Sequence, residues 1–217
     1  MVYRRQGIIL LFLMTVTLCF GCAKVDDPKQ KVSGTFFAMD TVMEITVYGD
    51  SALLETAKEE ILSLEKKLSV TDTGSEIFQL NQSGEQLLSA DAIDIIHCAL
   101  ELCRNTDGKL DISIYPIVRA WGFTTGEYCV PSAEELQALL SYVDYTKISI
   151  DGDKAVLGAG MQIDLGSVAK GYAGDQVIRL LRENGVTSAL LNLGGNVQAL
   201  GTKPDGSLWK IAIRNPA

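Results

Sequence analysis

The chain has 217 residues, of which 47% are hydrophobic, and a formal net charge of −8. This length is enough for one sizeable domain with its own core, and the acidic balance argues against nucleic-acid binding and for an acidic, soluble surface. The sequence contains a single histidine, His97, so a Ser-His-Asp or Cys-His arrangement must use this residue or not exist.

The N-terminus predicts export from the cytoplasm. Two arginines precede an apolar run over residues 8–20, which is too short for a comfortable membrane span and is typical of a signal peptide. The run is followed by Gly21-Cys22, which looks like the lipobox of bacterial lipoproteins, in which the cysteine is lipidated. An uncleaved N-terminal anchor is the alternative. Either interpretation puts the rest of the chain outside the cytoplasm, at the membrane surface.

These features divide the chain into three parts. We expect a lipoprotein signal peptide at 1–21, a polar tether at 22–34 and one folded domain at 35–217. Within the domain the cysteines have no metal-ligand spacing, and we expect core thiols without a disulfide framework: Cys98, Cys103 and Cys129.

The first half of the domain predicts one strand and three helices. Residues 37–47 alternate between apolar and polar or smaller side chains, which predicts an amphipathic strand. Helical spacing of apolar residues predicts long helices at about 51–68 and 91–104, the second capped by Ser89, with a short helix at 75–81 between them. The inward face of the second long helix is predicted to carry Ile95, Ala99 and Leu102.

Four further elements precede and follow the central part of the chain. They are a strand at 110–114, a helix opened by a Ser132-x-x-Glu135 capping box and running to about Tyr142, a hairpin at 148–157 that turns at Asp151-Gly152-Asp153, and a last strand at 209–213. Because helices and strands mix without regular βαβ repetition, we predict an α+β fold.

The central stretch runs from Asp164 to Tyr172 (DLGSVAKGY). Residues 154–163 before it predict a strand, and apolar residues at helical spacing after it predict a helix that stops at Asn184-Gly185. Residues 188–193 predict one more strand. The acid, the hydroxyl and the lysine of this stretch therefore lie at a tight turn between a strand and a helix.

This turn has the residue types of a phosphate and metal site. A helix N-terminus presents unpaired N–H groups to an anion, and Gly166 lets a ligand approach closely. Asp164 and Ser167 offer oxygen ligands to a hard cation such as magnesium, and Lys170 is placed to contact a phosphate. The alternative is that Asp164 or Ser167 merely caps the helix and that Lys170 is solvated.

Taken together, these stretches resemble the ApbE family of flavin transferases over about residues 36–216. Six motifs in family order carry the resemblance: Met39-Asp40-Thr41, Ser75-Glu76-Ile77 through Leu80-Asn81, Asp111 through Pro116 to Trp121-Gly122-Phe123, Asp164 to Tyr172, Asn192-Leu193-Gly194-Gly195, and Trp209 to Pro216. The resemblance implies an ApbE-like (T-fold-like) mixed sheet with packed helices.

The resemblance also implies an activity, that of a membrane-anchored FAD:protein FMN transferase. Such an enzyme moves the FMN half of FAD onto a threonine of an acceptor protein and releases AMP with the help of magnesium. Acceptors in this family are flavin-carrying subunits of membrane redox complexes. Two alternatives stay open: an FAD pyrophosphatase that gives free FMN and AMP, and a lipoprotein that captures flavin without catalysis.

The resemblance further implies roles for individual residues. Contacts with FAD are expected from Met39, Thr71, Lys109, Leu110, Asp111, Asp164 and Lys170. Lys170 would also act in catalysis by neutralising pyrophosphate charge, and Ser167 matches a magnesium-ligand position. Thr71 stands where many relatives carry an aromatic residue against the flavin, and Cys22 is the expected lipidation site.

A last expectation concerns the length of the chain. Family members continue past the position of Ala217 with a histidine-containing stretch and a loop that completes the magnesium site. Ser167 alone is a poor magnesium site, because the ion takes about six oxygen ligands. We therefore expect the chain to be a fragment of a longer gene product that is poorly soluble and nearly inactive as it stands.

Overall fold

A computed structural model describes residues 30–213 and residue 215. The predictions for the signal peptide, for Cys22 and for most of the tether lie outside the described residues. Within them, two antiparallel sheets combine with several helices, which confirms the predicted α+β class.

The strands of the described chain are β1 (Lys31–Ala38), β2 (Thr41–Tyr48), β3 (Glu85–Leu87), β4 (Ser149–Asp151), β5 (Lys154–Val156), β6 (Ala189–Leu193) and β7 (Asn196–Leu200). A four-stranded sheet has the order β1-β2-β6-β7, and a three-stranded sheet has the order β3-β5-β4. Every ladder between these strands is antiparallel.

The helices are α1 (Ser51–Leu68), α2 (Glu76–Ser83), α3 (Ala90–Asn105), α4 (Tyr115–Ala120), α5 (Ala133–Leu139) and α6 (Gly166–Glu183). Short 3-10 helices lie at Ile112–Ile114, Leu140–Tyr142 and Tyr145–Lys147. Helices α1 and α6 contact each other and the larger sheet, so the core lies between this helix pair and the sheet. In residues 30–213, no helix has both the length and the apolar character that a membrane crossing needs.

Helix α1 forms where its spacing predicts it. Its buried side chains recur every three or four residues and make one apolar stripe toward the core: Leu54, Ala57, Ile61, Leu64 and Leu68. The helix begins after Asp50, whose Oδ1 accepts a hydrogen bond from the backbone N–H of Ala52 at 2.8 Å. At the other end of α1, Glu65 and Leu68 line the cavity described below.

The strand predicted at 37–47 is in fact the centre of a hairpin. The chain turns at Met39-Asp40, where both residues have positive φ angles, 47° and 58°, and Ala38 pairs with Thr41. A two-residue turn with both φ angles positive suits the twist of a hairpin. The sequence hides this turn because it contains no glycine, although aspartate tolerates the left-handed conformation better than most residues.

The strand predicted at 110–114 is also wrong, because a 3-10 helix forms there. Asp111 Oδ1 accepts hydrogen bonds from the backbone N–H of Ser113 at 2.8 Å and from its hydroxyl at 2.6 Å. The side chain thus binds the local backbone in place of a neighbouring strand. The alternating apolar residues in this segment still place Ile112 in the core.

Two further strand predictions fail in part or in full. The strand before the central turn ends at Val156 and not at residue 163, and the chain then turns at Gly160, whose φ is +74°. Residues 209–213 pair with no strand in the described part of the chain. The hairpin predicted at 148–157 is confirmed, with Asp151 paired to Lys154 across its two-residue turn.

The predictions for α3 and for the cysteines are only partly right. The helix and its inward Ile95 and Ala99 are confirmed, but Leu102 is exposed, and Ser89 forms no side-chain cap bond. All three cysteines have free thiols, and only Cys103 is buried. Cys98 lies on the solvent side of α3 and Cys129 in an exposed loop, so the prediction of core thiols is wrong for these two residues.

Candidate functional site

The central stretch does form a turn into a helix, and Asp164 lies at its start. The backbone N–H of Asp164 donates to the carbonyl of Ile112 at 2.8 Å, and its Oδ1 accepts from the N–H of Gly166 at 2.7 Å. Helix α6 begins at Gly166. A Cβ at this position would lie 2.9 Å from Asp164 Oδ1, so the close approach of the carboxylate requires glycine.

The first N–H groups of α6 are largely used within the protein. Gly166 donates to Asp164, and the N–H groups of Val168 and Ala169 both donate to the carbonyl of Leu165. Among the described groups none accepts from the N–H of Ser167. Of the N–H groups expected to bind a phosphate at the helix N-terminus, only that of Ser167 is therefore available. Phosphate binding would then depend more on Lys170.

The carboxyl of Asp164 is partly withdrawn from water. Burial raises its pKa above the ordinary value for an aspartate, and the Gly166 N–H and the charge of Lys170 act in the opposite direction. Lys170 is half-buried and makes no ion pair with another described residue. An anionic ligand can therefore approach Lys170 without first displacing a protein carboxylate.

A cavity of about 550 Å³ opens at this turn and brings four of the predicted residues together. Met39 contributes from the β1–β2 turn, Thr71 from the segment after α1, and Asp164 and Lys170 from the start of α6. These four are separated by up to 131 positions in the chain, since 170 − 39 = 131, and only the fold brings them to one cavity.

Four other predicted residues do not line this cavity. Lys109 is exposed, Leu110 is half-buried, and Ser167 is exposed on the first turn of α6. Asp111 binds Ser113 through Oδ1 and accepts from the N–H of Tyr145 through Oδ2 at 3.1 Å, so both of its oxygens hold local structure. Their roles toward FAD and magnesium stay predictions. His97, the lone histidine, is exposed on α3 and also lies outside this lining.

The cavity contains a carboxylate that sequence reasoning missed. Glu65, in the last turn of α1, accepts a hydrogen bond from the N–H of Met39 through Oε1 at 2.6 Å. This bond ties the end of α1 to the β1–β2 turn, where Met39 and Asp40 hold their positive φ angles. The sequence offered no signal for it, because Glu65 belongs to a run of charged residues typical of a solvated helix face.

One wall of the cavity is aromatic. Phe123 and Tyr128 line it, although their side chains are 62% and 73% exposed. Their ring centroids lie 5.9 Å apart in an edge-to-face arrangement, and Trp121 stacks on Phe123 at 6.5 Å. Exposed rings in contact with each other offer a surface to a planar ligand. The Trp121-Gly122-Phe123 motif signalled Phe123, but nothing in the sequence singled out Tyr128.

The lining is acidic overall. It includes the carboxylates of Asp40, Glu65 and Asp164 but a single ammonium group, that of Lys170. A pyrophosphate that entered this cavity would meet three like charges and one opposite charge. Such a ligand binds more favourably with a cation beside it.

A magnesium ion fits this donor set only in part. In residues 30–213 no group of three or more histidine, cysteine, aspartate or glutamate side chains is placed to hold a metal. Magnesium is often held by one or two protein oxygens, with the remainder from phosphate and water. Asp164 lines the cavity and can supply one such oxygen, whereas Ser167, three residues later, lies outside the lining.

Comparison with known proteins agrees with the motifs. The model of the ApbE family matches residues 39–217. Two curated relatives carry the name FAD:protein FMN transferase. The relative from Haemophilus influenzae is 28% identical over 222 residues, which cover 94% of this chain and 64% of the relative. The relative from Treponema pallidum is 28% identical over 240 residues, which cover 99% of this chain and 65% of the relative. The chain thus spans slightly less than two thirds of the length of either.

Solved structures agree with the fold. The apo form of the flavinyl transferase ApbE from Pseudomonas stutzeri is 29% identical, with a TM-score of 0.78 over 85% of this chain and 62% of that one. The ApbE protein from Thermotoga maritima is 26% identical, with a TM-score of 0.81 over 86% and 64%. The resemblance inferred from the six motifs is confirmed, and the chain belongs to the ApbE family.

Proposed function

We propose that this protein is an FAD:protein FMN transferase, which moves FMN from FAD to a threonine of an acceptor protein and releases AMP. The observation that carries the proposal is the meeting of Met39, Thr71, Asp164 and Lys170 at one cavity at the start of α6. The aromatic wall beside them suits a planar ring, and Lys170 suits a phosphate. Named relatives with this activity support the proposal.

The reaction is a displacement at the phosphorus of the FMN half. The threonine oxygen of the acceptor forms a bond to this phosphorus, the bond from phosphorus to the bridging oxygen breaks, and AMP leaves with that oxygen. The threonine proton passes to a base. Lys170 would stabilise the negative charge that develops on the phosphates, and Asp164 would help to position the ligand.

Magnesium completes the proposal. Asp164 in the lining, with Ser167 on the adjoining first turn of α6, would hold the ion, whose charge would offset that of the pyrophosphate in a lining with three carboxylates and one lysine. The acidic lining supports a requirement for a cation. Addition of a chelator should therefore stop AMP release, and added magnesium should restore it.

The location and the partners form a second part of the proposal. We infer that Cys22 carries a lipid that anchors the protein at the extracytoplasmic face of the membrane, and that its acceptors are flavin-carrying subunits of membrane redox complexes. The charged start, the apolar run and the Gly21-Cys22 junction support the anchor. An enzyme held at that surface would meet membrane-bound acceptors there.

The test is to incubate the full-length gene product with FAD, magnesium and an acceptor domain, and to measure AMP by chromatography and protein-bound flavin by in-gel fluorescence. We expect both products in equal amounts, and about 10²-fold slower AMP release from Lys170→Ala, the typical effect of removing one group that stabilises the transition state. Lys58→Ala is the control, because Lys58 lies on the exposed side of α1 and pairs only with Glu55. Free FMN without bound flavin would indicate hydrolysis, and the absence of AMP would overturn the proposal.

A further inference from the structure

Asn81 is buried, and its side-chain amide makes two hydrogen bonds to a single residue on a distant part of the chain. Its Nδ2 donates to the carbonyl of Ile163 at 2.8 Å, and its Oδ1 accepts from the N–H of Ile163 at 2.7 Å. The side chain therefore takes the place of a neighbouring strand, which would exchange the same pair of bonds. Asn81 has no part in the proposed chemistry and does not line the cavity.

The segment that Asn81 holds has no regular structure of its own. Residues 157–165 belong to neither a helix nor a strand, yet Ile163 is fully buried. A buried N–H and a buried C=O both need partners. The Asn81 amide satisfies both at Ile163, which fixes the backbone where a loop would otherwise be free to shift.

The next residue is Asp164, which is held from the other side. Its N–H donates to the carbonyl of Ile112 at 2.8 Å, in the 3-10 helix before α4. Two consecutive residues are thus bound by two different elements, Ile163 by α2 and Asp164 by the 3-10 helix. Between them these bonds set where the Asp164 carboxylate emerges into the cavity.

We propose that Asn81 is a positioning residue, which sets the place of Asp164 through the backbone of Ile163. The inference rests on the proposed function, because it assumes that Asp164 contacts FAD. Loss of the Asn81 amide should leave Ile163 unsatisfied and let Asp164 move away from its productive place. FAD binding should then fall even though Asn81 never contacts the ligand.

The main test is a double-mutant cycle on the intact protein, read by the dissociation constant for FAD at a temperature well below unfolding. Asn81→Ala and Asp164→Ala should each weaken FAD binding by about tenfold or more. If Asn81 acts through Asp164, the double variant should bind FAD within about twofold of Asp164→Ala. Without the Asp164 carboxylate, loss of the Asn81 amide has no group left to misplace. Additive losses would overturn the proposal.

Two further variants separate positioning from general stability. Asn81→Asp keeps the size and the Oδ1 acceptor but places an oxygen against the Ile163 carbonyl, so it should weaken FAD binding like Asn81→Ala. Leu80→Ala is the control, since Leu80 is the fully buried neighbour on α2 and does not bond Ile163. It should lower the melting temperature yet change FAD affinity by less than about twofold. Equal losses of affinity in Leu80→Ala and Asn81→Ala would mean a merely structural role.

Amide hydrogen exchange tests the two bonds without any ligand. In Asn81→Ala, the amides of Ile163 and Asp164 should exchange faster relative to core amides of α6, and in Leu80→Ala this ratio should stay as in the wild type. An unchanged ratio in Asn81→Ala would overturn the positioning role whatever happens to FAD. If the wild type bound no FAD, the proposed function would fail and the effect on FAD with it, whereas the exchange ratio would still decide whether Asn81 holds the segment.

Discussion

At the scale of one residue, the fold holds the carboxyl group of Asp164 in a partly buried place where its charged form is disfavoured. Burial opposes the ionised carboxylate and raises its pKa, while the Gly166 N–H and the charge of Lys170 favour the charged form. The backbone N–H of Asp164 donates to the carbonyl of Ile112, and the N–H of the preceding residue, Ile163, donates to Oδ1 of Asn81, so both residues are held in place. Titratable groups with a perturbed pKa are common at functional sites. Folding gives up some stability to hold the group there, and ligand binding uses the position that results.

The raised pKa of Asp164 predicts how stability depends on pH. Between the ordinary carboxyl pKa and the raised folded value, the native state binds a proton that the unfolded state has lost, so stability falls as pH rises through this window. Asp164→Asn keeps an acceptor for the Gly166 N–H but cannot ionise. Relative to the wild type it should therefore gain stability above the window, and the gain should shrink as pH falls toward the ordinary value.

Thermal melts of both proteins from pH 4 to pH 8 would measure this difference, with FAD titrations in parallel. We expect the variant to be more stable at neutral pH and to bind FAD more weakly, by about tenfold, which corresponds to roughly 1.4 kcal/mol. A stability difference that stays constant over this range would show that burial does not perturb Asp164.

Four elements meet at the scale of secondary structure, and each supplies one side of the cavity. The β1–β2 turn brings Met39, the end of α1 brings Glu65, the start of α6 brings Asp164, and the loop after α4 brings Phe123 and Tyr128. The bond from Met39 to Glu65 joins the first two of these elements. A site built from element ends depends on close packing, because small shifts of any one element move a functional side chain.

Glycine should be necessary for the site at position 166, where α6 begins, but not at position 171, further along the same helix. Gly166→Ala places a Cβ 2.9 Å from Asp164 Oδ1, so the carboxylate must move. A shift of this kind should lower AMP release by about tenfold to a hundredfold. Gly171→Ala, on the same helix, meets only the Asn196 amide at 3.9 Å, an ordinary contact.

The pair gives a matched comparison, measured by AMP release and by circular dichroism. Gly171→Ala should keep its activity and stabilise the helix by up to about 1 kcal/mol, the difference in helix propensity. Both variants should stay helical. Equal activity in Gly166→Ala and Gly171→Ala would contradict the importance of the contact between Gly166 and Asp164.

The aromatic wall should bind one of the planar rings of FAD. Replacing Phe123 or Tyr128 by leucine removes an exposed ring, and an aromatic contact is worth about 0.5–1.5 kcal/mol. Each variant should therefore weaken FAD binding by about two- to tenfold, measured by flavin fluorescence. Tyr128→Phe keeps the ring and serves as the control.

Titrations with the two halves of FAD identify the ring that binds. If the flavin ring lies on the wall, the leucine variants should bind FMN more weakly and AMP as before, and the reverse pattern would point to adenine. Unchanged affinity for FAD, FMN and AMP in both variants would show that the wall contacts neither ring.

At the scale of the whole molecule, one face of the larger sheet is covered by α1 and α6, and the cavity opens where these helices meet the β1–β2 turn. Strand β1 begins at Lys31, so the last four residues of the tether predicted at 22–34 belong to the sheet and the prediction was too long at that end. If Cys22 is lipidated, the membrane anchor and the domain are joined by only a few residues. The domain would then stay near the membrane surface without being embedded in it.

Cys22→Ser should release the protein from the membrane while leaving its chemistry intact. Lipoproteins carry several acyl chains, and their loss removes most of the membrane affinity. Fractionation of cells should move the variant from the membrane to the soluble extracytoplasmic fraction. AMP release from FAD in solution should stay within about twofold of the wild type, since Cys22 has no role in the proposed chemistry. A variant that remains in the membrane at its full length would identify the apolar run as the anchor.

The sequence by itself determined the elements that depend on local patterns. Apolar spacing set α1 at Ser51–Leu68, the capping box set the start of α5, and the aspartate-glycine turn set the β4–β5 hairpin. These succeed because helical stripes, caps and tight turns involve residues only a few positions apart. The motifs likewise identified the family and four residues that line the cavity.

Only the tertiary structure decided the features that join distant residues. It turned the predicted strand at 37–47 into a hairpin, replaced the strand at 110–114 by a 3-10 helix and brought Glu65, Tyr128 and Asn81 into the support and lining of the site. The bonds of Asn81 to Ile163 span 82 positions. No local propensity encodes such pairs, because each depends on the packing of several elements at once.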